Sequence, residues 1–401
     1  MGSAPFSFHA MAKPAGARCN LACSYCFYFD KPRLSKSAAM SDEVLESFVK
    51  NYIAGNPSQE VNFAWQGGEP LLAGLEFFKK AVALQKKYAG SKCITNALQT
   101  NATLLDDALC EFFKRENFLL GISIDGPKEL HDANRCNSYS AVLNGVKLCL
   151  KHGLEFNALV TVNSQNVSHP REIYKFLRGL GVRYMQFIPI VERDCAEVSG
   201  LGARFEDASL PQKSPAPKLA KLSRLSPSSA AFGDFLVSIF KMWYPKEIGK
   251  ANVQNFDDIV IKCVNGGDAL CTFAKDCGRA LAVEQDGGVY SCDHYVFEAF
   301  RLGSLASQSF AEMFEGGVQK EFAAAKRGGL SMRCNACGFL NFCNGDCLKR
   351  RLDYYDADDY PTSAMCVGLK KFFAYAAPCA VKIAVLVREG LPPEEIRRRL
   401  S

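Results

Sequence analysis

The stretch CNLACSYC places Cys19, Cys23 and Cys26 on one short loop, with three and then two residues between them and no fourth cysteine beside them. No other feature constrains the chain as tightly. A cubane iron–sulfur cluster is ordinarily held by four thiolates. Three thiolates on one loop hold three irons and leave the fourth open to an outside ligand. Catalytic metal sites keep such an open position, whereas structural sites close it. The bland alternative is a zinc ion bound by these three cysteines and a distant fourth ligand.

The chain carries 18 cysteines in 401 residues. No apolar run reaches the length of a membrane span, and the N-terminus lacks the apolar stretch of a signal peptide. The expected location is therefore the cytoplasm, with no membrane partner. In a reducing compartment so many cysteines point to metal or redox chemistry rather than to disulfides. A net charge of +6 on a chain of this length gives no reason to expect nucleic acid. Arg397, Arg398 and Arg399 form the one dense basic run, which at a helix end suits solvent and the helix dipole. No heptad pattern argues for more than a monomer.

The first half alternates between two periodicities. Ser41 reads as an N-cap, followed by Val44, Leu45, Phe48, Val49 and Tyr52 at helical spacing. Strands are predicted over 61–65, 93–99, 118–124, 156–162 and 184–190. Helices are predicted over 75–88, 106–116, 139–152 and 170–180. With a further strand just before Cys19, this makes six β/α units. Continuous apolar strands alternating with helices argue for a parallel sheet covered on both faces. The fold class is α/β, and six units suit a partial (β/α)6 barrel of the TIM type better than a complete eight-fold one. Over 193–230 the pattern fails, and PQKSPAPKLAKLSRLSPSS reads as a mobile surface insertion. A helix resumes over 232–243. From Cys263 to Cys366 the cysteines are dense and the strands short, and helices over 367–387 and from Pro393 close the chain. The domains are drawn as a barrel over 1–230, a connecting helix over 231–262, a cysteine-rich domain over 263–370 and terminal helices over 371–401.

QGGEP (66–70) ends the second strand. Such a stretch is ordinarily a turn, yet here it sits at the carboxyl edge of a strand, the functional face of such barrels. Farther on stand Cys271, Cys277 and Cys292, then Cys334, Cys337, Cys343, Cys347 and Cys366 as C-x2-C-x5-C-x3-C-x18-C. Eight thiolates suffice for two fully ligated clusters, but spacing does not partition them. Taken alone, the array reads plainly as zinc ribbons. The other seven cysteines, Cys93, Cys110, Cys136, Cys149, Cys195, Cys263 and Cys379, read mostly as small buried hydrophobes. Asp293, directly after Cys292, reads alone as a turn residue.

The C-x3-C-x-Y-C loop after a first strand resembles the radical SAM signature. The resemblance implies that the open iron chelates S-adenosylmethionine and that one electron cleaves it to a 5′-deoxyadenosyl radical. It implies adenine contacts at Tyr25 and Tyr28. It implies that Gln66, Gly67, Gly68 and Glu69 meet the ligand's ammonium, the paired glycines allowing close backbone approach. It further implies contacts to the ribose and carboxylate at Ser123 and Arg135, and to the adenine at Val191.

The later cysteines resemble a SPASM domain. With KPAGARCNLACSYCFY, FAWQGGEPLLAGLEFF, LQTN, SIDGP and GGVYSCDHYV, the chain resembles the anaerobic sulfatase-maturating enzymes from about residue 8 to Phe373, the insertion excepted. The family pattern implies three [4Fe-4S] clusters. Cys19, Cys23 and Cys26 would hold the first. Cys271, Cys277, Cys292 and Cys347 would hold one auxiliary cluster, and Cys334, Cys337, Cys343 and Cys366 the other. The implied reaction oxidises a Cys or Ser of a sulfatase to Cα-formylglycine. A β-hydrogen leaves to the radical, Asp293 takes the thiol or hydroxyl proton, and the first auxiliary cluster accepts the electron. The implied partners are an unfolded or nascent sulfatase polypeptide with a Cys/Ser-x-Pro-x-Arg motif and a flavodoxin- or ferredoxin-type electron donor. The insertion has no counterpart among these motifs, and a glycine-rich motif common on the family's fifth strand is not legible. Two other readings stay open: a SPASM peptide maturase forming thioether or carbon–carbon crosslinks, and a colourless zinc-binding module.

Overall fold

The computed structural model describes residues 3–28, 39–194 and 210–399. The first half runs β1 (His9–Ala12), α1 (Asp42–Gly55), β2 (Glu60–Trp65), α2 (Gly74–Tyr88), β3 (Cys93–Thr100) and α3 (Asp107–Arg115). It continues with β4 (Phe118–Ser123), α4 (Lys128–Asp132), α5 (Tyr139–Lys151), β5 (Phe156–Val162), α6 (Pro170–Gly179) and β6 (Tyr184–Pro189). The second half begins α7 (Ser229–Lys246), β7 (Asn252–Val253), α8 (Gln254–Asn265), β8 (Ala280–Val283), β9 (Gly288–Tyr290) and β10 (Arg301–Ser304). It ends α9 (Phe310–Glu315), α10 (Gly317–Gly328), α11 (Met332–Asn335), α12 (Leu340–Cys343), β11 (Arg351–Asp353), β12 (Thr362–Ser363), α13 (Cys366–Arg388) and α14 (Ile396–Arg399). The fold class is the expected one, six β/α repeats of a partial barrel followed by a cysteine-rich domain. No helix among the described residues is long and apolar enough to cross a membrane.

The chain forms two compact units that interleave in sequence. One comprises residues 1–123, 134–156 and 277–324, and the other 124–133, 157–276 and 325–401. The boundary drawn at 263 therefore does not coincide with either unit. The cause is a long-range pairing. β8 lies parallel to β1, Ala10 opposite Leu281 and Ala12 opposite Val283, while β2 flanks β1 on its other side. β1 is thus a central strand held by a segment some 270 residues away, a pairing that no local pattern announces.

In the first unit the strand order is β10-β9-β8-β1-β2-β3-β4. α1 starts where predicted, with the Ser41 hydroxyl accepting the Val44 N–H and Asp42 and Glu43 in its first turn, where acidic groups suit the helix dipole. It buries Leu45, Phe48, Val49, Tyr52 and Ile53. Phe48, Tyr52, Phe63 and Trp65 pack there ring against ring. Each such burial contributes roughly 1.5–3 kcal/mol.

In the second unit β5, β6 and β7 pair in parallel. α13 crosses α7 where Gly233 and Gly368 meet: a Cβ on Gly368 would lie 1.9 Å from the Ser229 carbonyl oxygen. The helix predicted from Phe232 starts at Ser229, because Ser228 caps it by accepting the Ala231 N–H. The expected mobile insertion is corrected where it is described. Lys218 and Tyr354 exchange both backbone hydrogen bonds, at 2.8 and 2.7 Å, and the Ala220 N–H donates to Asp353 at 2.9 Å. Proline- and lysine-rich composition signalled a free loop, yet Ser214, Lys218 and Ala220 are held by backbone and side-chain groups in and after β11. Residues 195–209, with Cys195, lie outside the described residues.

Candidate active site

The cysteine loop leaves β1 in the first unit. The Gly68 N–H donates to the Gly16 carbonyl and the Glu69 N–H to the Arg18 carbonyl, both at 2.8 Å. A Cβ at Gly68 would stand 2.0 Å from the Arg18 oxygen. Gly67 adopts φ +130, and its Cβ would meet the Gly16 oxygen at 2.7 Å and the Lys13 stem at 3.2 Å. The paired glycines thus have a structural neighbour: they let the QGGEP turn lie directly on the backbone that leads into Cys19.

Glu69 is fully buried. Its Oε1 accepts from the Leu71 N–H at 3.0 Å and the Thr100 hydroxyl at 2.8 Å, and its Oε2 from the Asn101 N–H at 2.8 Å. A carboxylate has about four acceptor sites. Glu69 therefore serves as a brace between the QGGEP turn and the LQTN segment, a role that its expected contact with a ligand ammonium did not foresee. Burial raises its pKa to about 7, against the pull of those donors.

The loop is held on two sides. The Asn101 amide donates to Asn20 Oδ1 at 2.9 Å and stands 3.8 Å from Cys19 Sγ, and the Leu21 N–H donates to the same sulfur at 3.4 Å. From the other side Asn134 accepts the Ser24 hydroxyl at 2.6 Å and its N–H at 2.9 Å. Cys136 accepts the Ala22 N–H at 3.3 Å. The Arg135 guanidinium lies 5.3 Å from the centre of the Tyr25 ring, so these two expected ligand contacts stand together. Ser123 ends β4 and is buried, as is Val191, which lies in the second unit past β6.

Of the seven cysteines read mostly as buried hydrophobes, Cys110 and Cys149 are buried, Cys263 and Cys379 half-buried, and Cys93 and Cys136 exposed. The reading fails at Cys93 and at Cys136, whose sulfur serves as an acceptor for the cysteine loop.

Asp293 opens a single 3-10 turn directly after Cys292. Its Oδ1 meets Lys13 Nζ at 2.5 Å, with the Lys13 side chain 1% and the Asp293 side chain 13% exposed. The Lys13 ammonium also lies 4.8 Å from the centre of the Tyr28 ring. The Tyr28 hydroxyl donates to Glu284, and burial, reinforced by that carboxylate, holds the phenol well above its ordinary range. Tyr28 is buried, and its hydroxyl is committed within the protein, a placement that its expected adenine contact did not anticipate. Phe27 packs on His294 at 5.3 Å. The residues just past Cys26 thus interlock with those just past Cys292. Lys13, Glu284, Asn101 and Asn134 were not singled out by sequence reasoning. A lone lysine after a strand reads as a solvated cation, and only the long-range pairing of β8 reveals otherwise.

The expected auxiliary ligands divide between the units. Cys277 and Cys292 belong to the first, Cys271 and Cys347 to the second. Within the second, Cys334, Cys337, Cys343 and Cys366 line one cavity with Phe339, Tyr355 and Phe373. Burial raises the Cys343 thiol, and Asp346, Cys366 and Cys334 oppose its ionisation further. A thiol whose ionisation is opposed in this way suits a cationic centre, which deprotonates its ligands outright. Among the described residues no three His, Cys, Asp or Glu side chains are grouped to hold a single metal ion. A zinc ion needs every donor within about 2.0–2.3 Å of one point, whereas a cubane attaches each thiolate to a different iron. Four thiols lining one cavity are a donor set that fits a cubane.

A radical SAM superfamily profile covers residues 14–177, and an iron-sulfur cluster-binding SPASM domain covers 271–338. The serine-type anaerobic sulfatase-maturating enzyme of Bacteroides thetaiotaomicron is 41% identical over 94% of this chain and 91% of its own length. This chain belongs to the anaerobic sulfatase-maturating enzymes. The cysteine-type member of the family from Clostridium perfringens is 33% identical over 93% of the chain and 97% of its own. A solved structure, native anSMEcpe with bound AdoMet and Cp18Cys peptide, superposes with a TM-score of 0.81 at 32% identity. It covers 94% of this chain and 99% of that one. Streptococcus suis SuiB bound to S-adenosylmethionine, at 11% identity and a TM-score of 0.60, shares the fold.

Proposed function

We propose that this chain oxidises a cysteine or serine of a sulfatase polypeptide to Cα-formylglycine without oxygen. Family membership carries the reading, and the juxtaposition of Asp293 with the residues following Cys26 supports it. S-adenosylmethionine, when bound with a cluster on Cys19, Cys23 and Cys26, supplies the 5′-deoxyadenosyl radical that takes a hydrogen from the substrate β-carbon. Gln66, Gly67, Gly68, Tyr25, Tyr28, Ser123, Arg135 and Val191 form its surroundings, and Glu69 braces them. Asp293 takes the thiol or hydroxyl proton. A positioned general base contributes about 10²–10⁴-fold. The remaining electron would pass to a cluster held by Cys271, Cys277, Cys292 and Cys347, leaving the aldehyde of a serine target or the thioaldehyde of a cysteine target, which water hydrolyses to the aldehyde.

The finer assignments belong to the same proposal. Two auxiliary [4Fe-4S] clusters sit on Cys271, Cys277, Cys292 and Cys347 and on Cys334, Cys337, Cys343 and Cys366. The target carries Cys/Ser-x-Pro-x-Arg. The electron donor is of the flavodoxin or ferredoxin type, and the enzyme works as a cytoplasmic monomer.

The test is anaerobic reconstitution with S-adenosylmethionine, dithionite and Cys-x-Pro-x-Arg or Ser-x-Pro-x-Arg peptides, read by mass spectrometry and 5′-deoxyadenosine. A formylglycine mass, formed roughly 10²–10⁴-fold more slowly in Asp293→Asn, is the expected result. Deoxyadenosine without a peptide change moves the substrate to another peptide class. Neither product from a brown, fully loaded sample overturns the assignment.

A further inference from the structure

We propose that Lys13 is the positioning residue for the Asp293 carboxylate, an inference that rests on reading Asp293 as the base. Four observations converge on it. The Lys13 backbone is fixed, its N–H donating to the Val283 carbonyl at 2.9 Å as β1 ends beside β8. Its stem is confined by the first glycine of the QGGEP turn, where even a methyl group would press on Lys13 Cδ and Cβ at 3.2 and 3.3 Å. Its ammonium is confined by the Tyr28 ring. Its terminal contact is Asp293 Oδ1, in a pair of which the lysine is almost wholly buried.

A surface lysine explores many rotamers, and an exposed pair adds little. Here packing from three sides has already removed that freedom, so the ammonium acts as a fixed post. Aspartate has two side-chain torsions, and anchoring Oδ1 sets the plane of the carboxyl group. Lys13 exchanges no proton in this role. It determines where the accepting oxygen stands when the substrate proton is released. Misplacing a reacting group by about 1 Å can cost roughly 10²-fold in rate.

The experiment compares Lys13→Met, Lys13→Arg, Asp293→Asn and Lys13→Met/Asp293→Asn, all anaerobically reconstituted. It measures kcat, peptide KM, the ratio of 5′-deoxyadenosine to formylglycine, and the electron paramagnetic resonance of the reduced clusters. Lys13→Met is expected to lower kcat roughly 10²-fold with an unchanged cluster spectrum and peptide KM. Deoxyadenosine formation continues without product, so the ratio rises. Lys13→Arg, which keeps the cation, recovers part of the loss. The double variant matches Asp293→Asn alone, because Lys13 acts only through Asp293. It also removes both charges together, so it remains informative where Lys13→Met fails to fold. Losses that multiply in the double variant overturn the proposal, as does a Lys13→Met enzyme within about twofold of the parent. An Asp293→Asn enzyme with parental activity overturns the reading of the base itself, a distinguishable result.

Discussion

The Glu69 carboxylate accepts the Asn101 backbone N–H at 2.8 Å, which ties the turn after β2 to the end of β3 directly beneath the cysteine loop. Glu69→Ala leaves three buried donors without an acceptor, at about 1–3 kcal/mol each before relaxation. Urea unfolding of the apoprotein should show a marked loss of stability. Glu69→Gln keeps one acceptor oxygen and should fall between. The pH dependence has a definite sign. Because burial raises Glu69 from 4.5 to about 7, the folded chain holds a proton that the unfolded chain releases between those values. Its contribution therefore declines as pH rises through that window, by on the order of 3 kcal/mol in total. Glu69→Gln lacks the titration. The stability difference between parent and variant should shift in the variant's favour from pH 4.5 to pH 7, and a flat difference would refute the assignment.

The Asn101 side chain concerns the cluster rather than the fold. Its amide stands 3.8 Å from Cys19 Sγ, and N–H groups directed at cluster sulfurs favour the reduced, more negative state. Asn101→Ala should make the reduction potential of the first cluster more negative, and cleavage of S-adenosylmethionine slower at a fixed driving potential. A redox titration followed by electron paramagnetic resonance checks this. An unchanged potential would mean that the contact is structural only.

Much of this was legible in the sequence where the cause is local. The repeats from α1 to β6 follow their periodicities, and Ser41 caps as its neighbours predict, because caps and amphipathic faces are properties of a few adjacent residues. The pairing of β8 with β1 was not legible, since neither four-residue strand names its partner. For the same reason Lys13 was not singled out, and Asp293 taken alone read as a turn residue. The QGGEP glycines were recognised by their resemblance, yet the close approach they permit to Arg18 depends on where the cysteine loop lies. The strap at 214–222 was misread because composition reports the absence of a core, not the presence of a waiting strand edge.

Gly368 and Gly233 set the closest approach of α13 to α7, where the Gly368 N–H also donates to the Ser229 hydroxyl at 2.9 Å. Gly368→Ala puts a methyl group onto the Ser229 carbonyl and must separate the helices, at about 1–3 kcal/mol. Because α13 begins at Cys366, the shift should reach the cavity cysteines. Differential scanning calorimetry should give a lower Tm, and iron retention after gel filtration should fall with it.

Arg351 carries the most demanding local structure of the second unit. It is 2% exposed and donates to four carbonyls: Gly345 at 2.9 Å, Lys326 at 2.8 Å, Gly329 at 2.9 Å and Asn344 at 2.9 Å. Two of these lie on the turn between Cys343 and Cys347, where Asn344, Gly345 and Asp346 all have positive φ. The guanidinium thus fixes a strained turn between two expected ligands of different clusters. Arg351→Met leaves four buried carbonyls unpaired, a loss of about 3 kcal/mol or more. Arg351→Lys should fare little better, since one ammonium with three donors does not reproduce a planar fork. If the clusters number three, the parent binds about twelve irons per chain and Cys343→Ala about eight. Arg351→Met should fall to eight or below, because its turn serves both auxiliary sites. Parental iron content in Arg351→Met would show that the ligands, not the arginine, shape that turn.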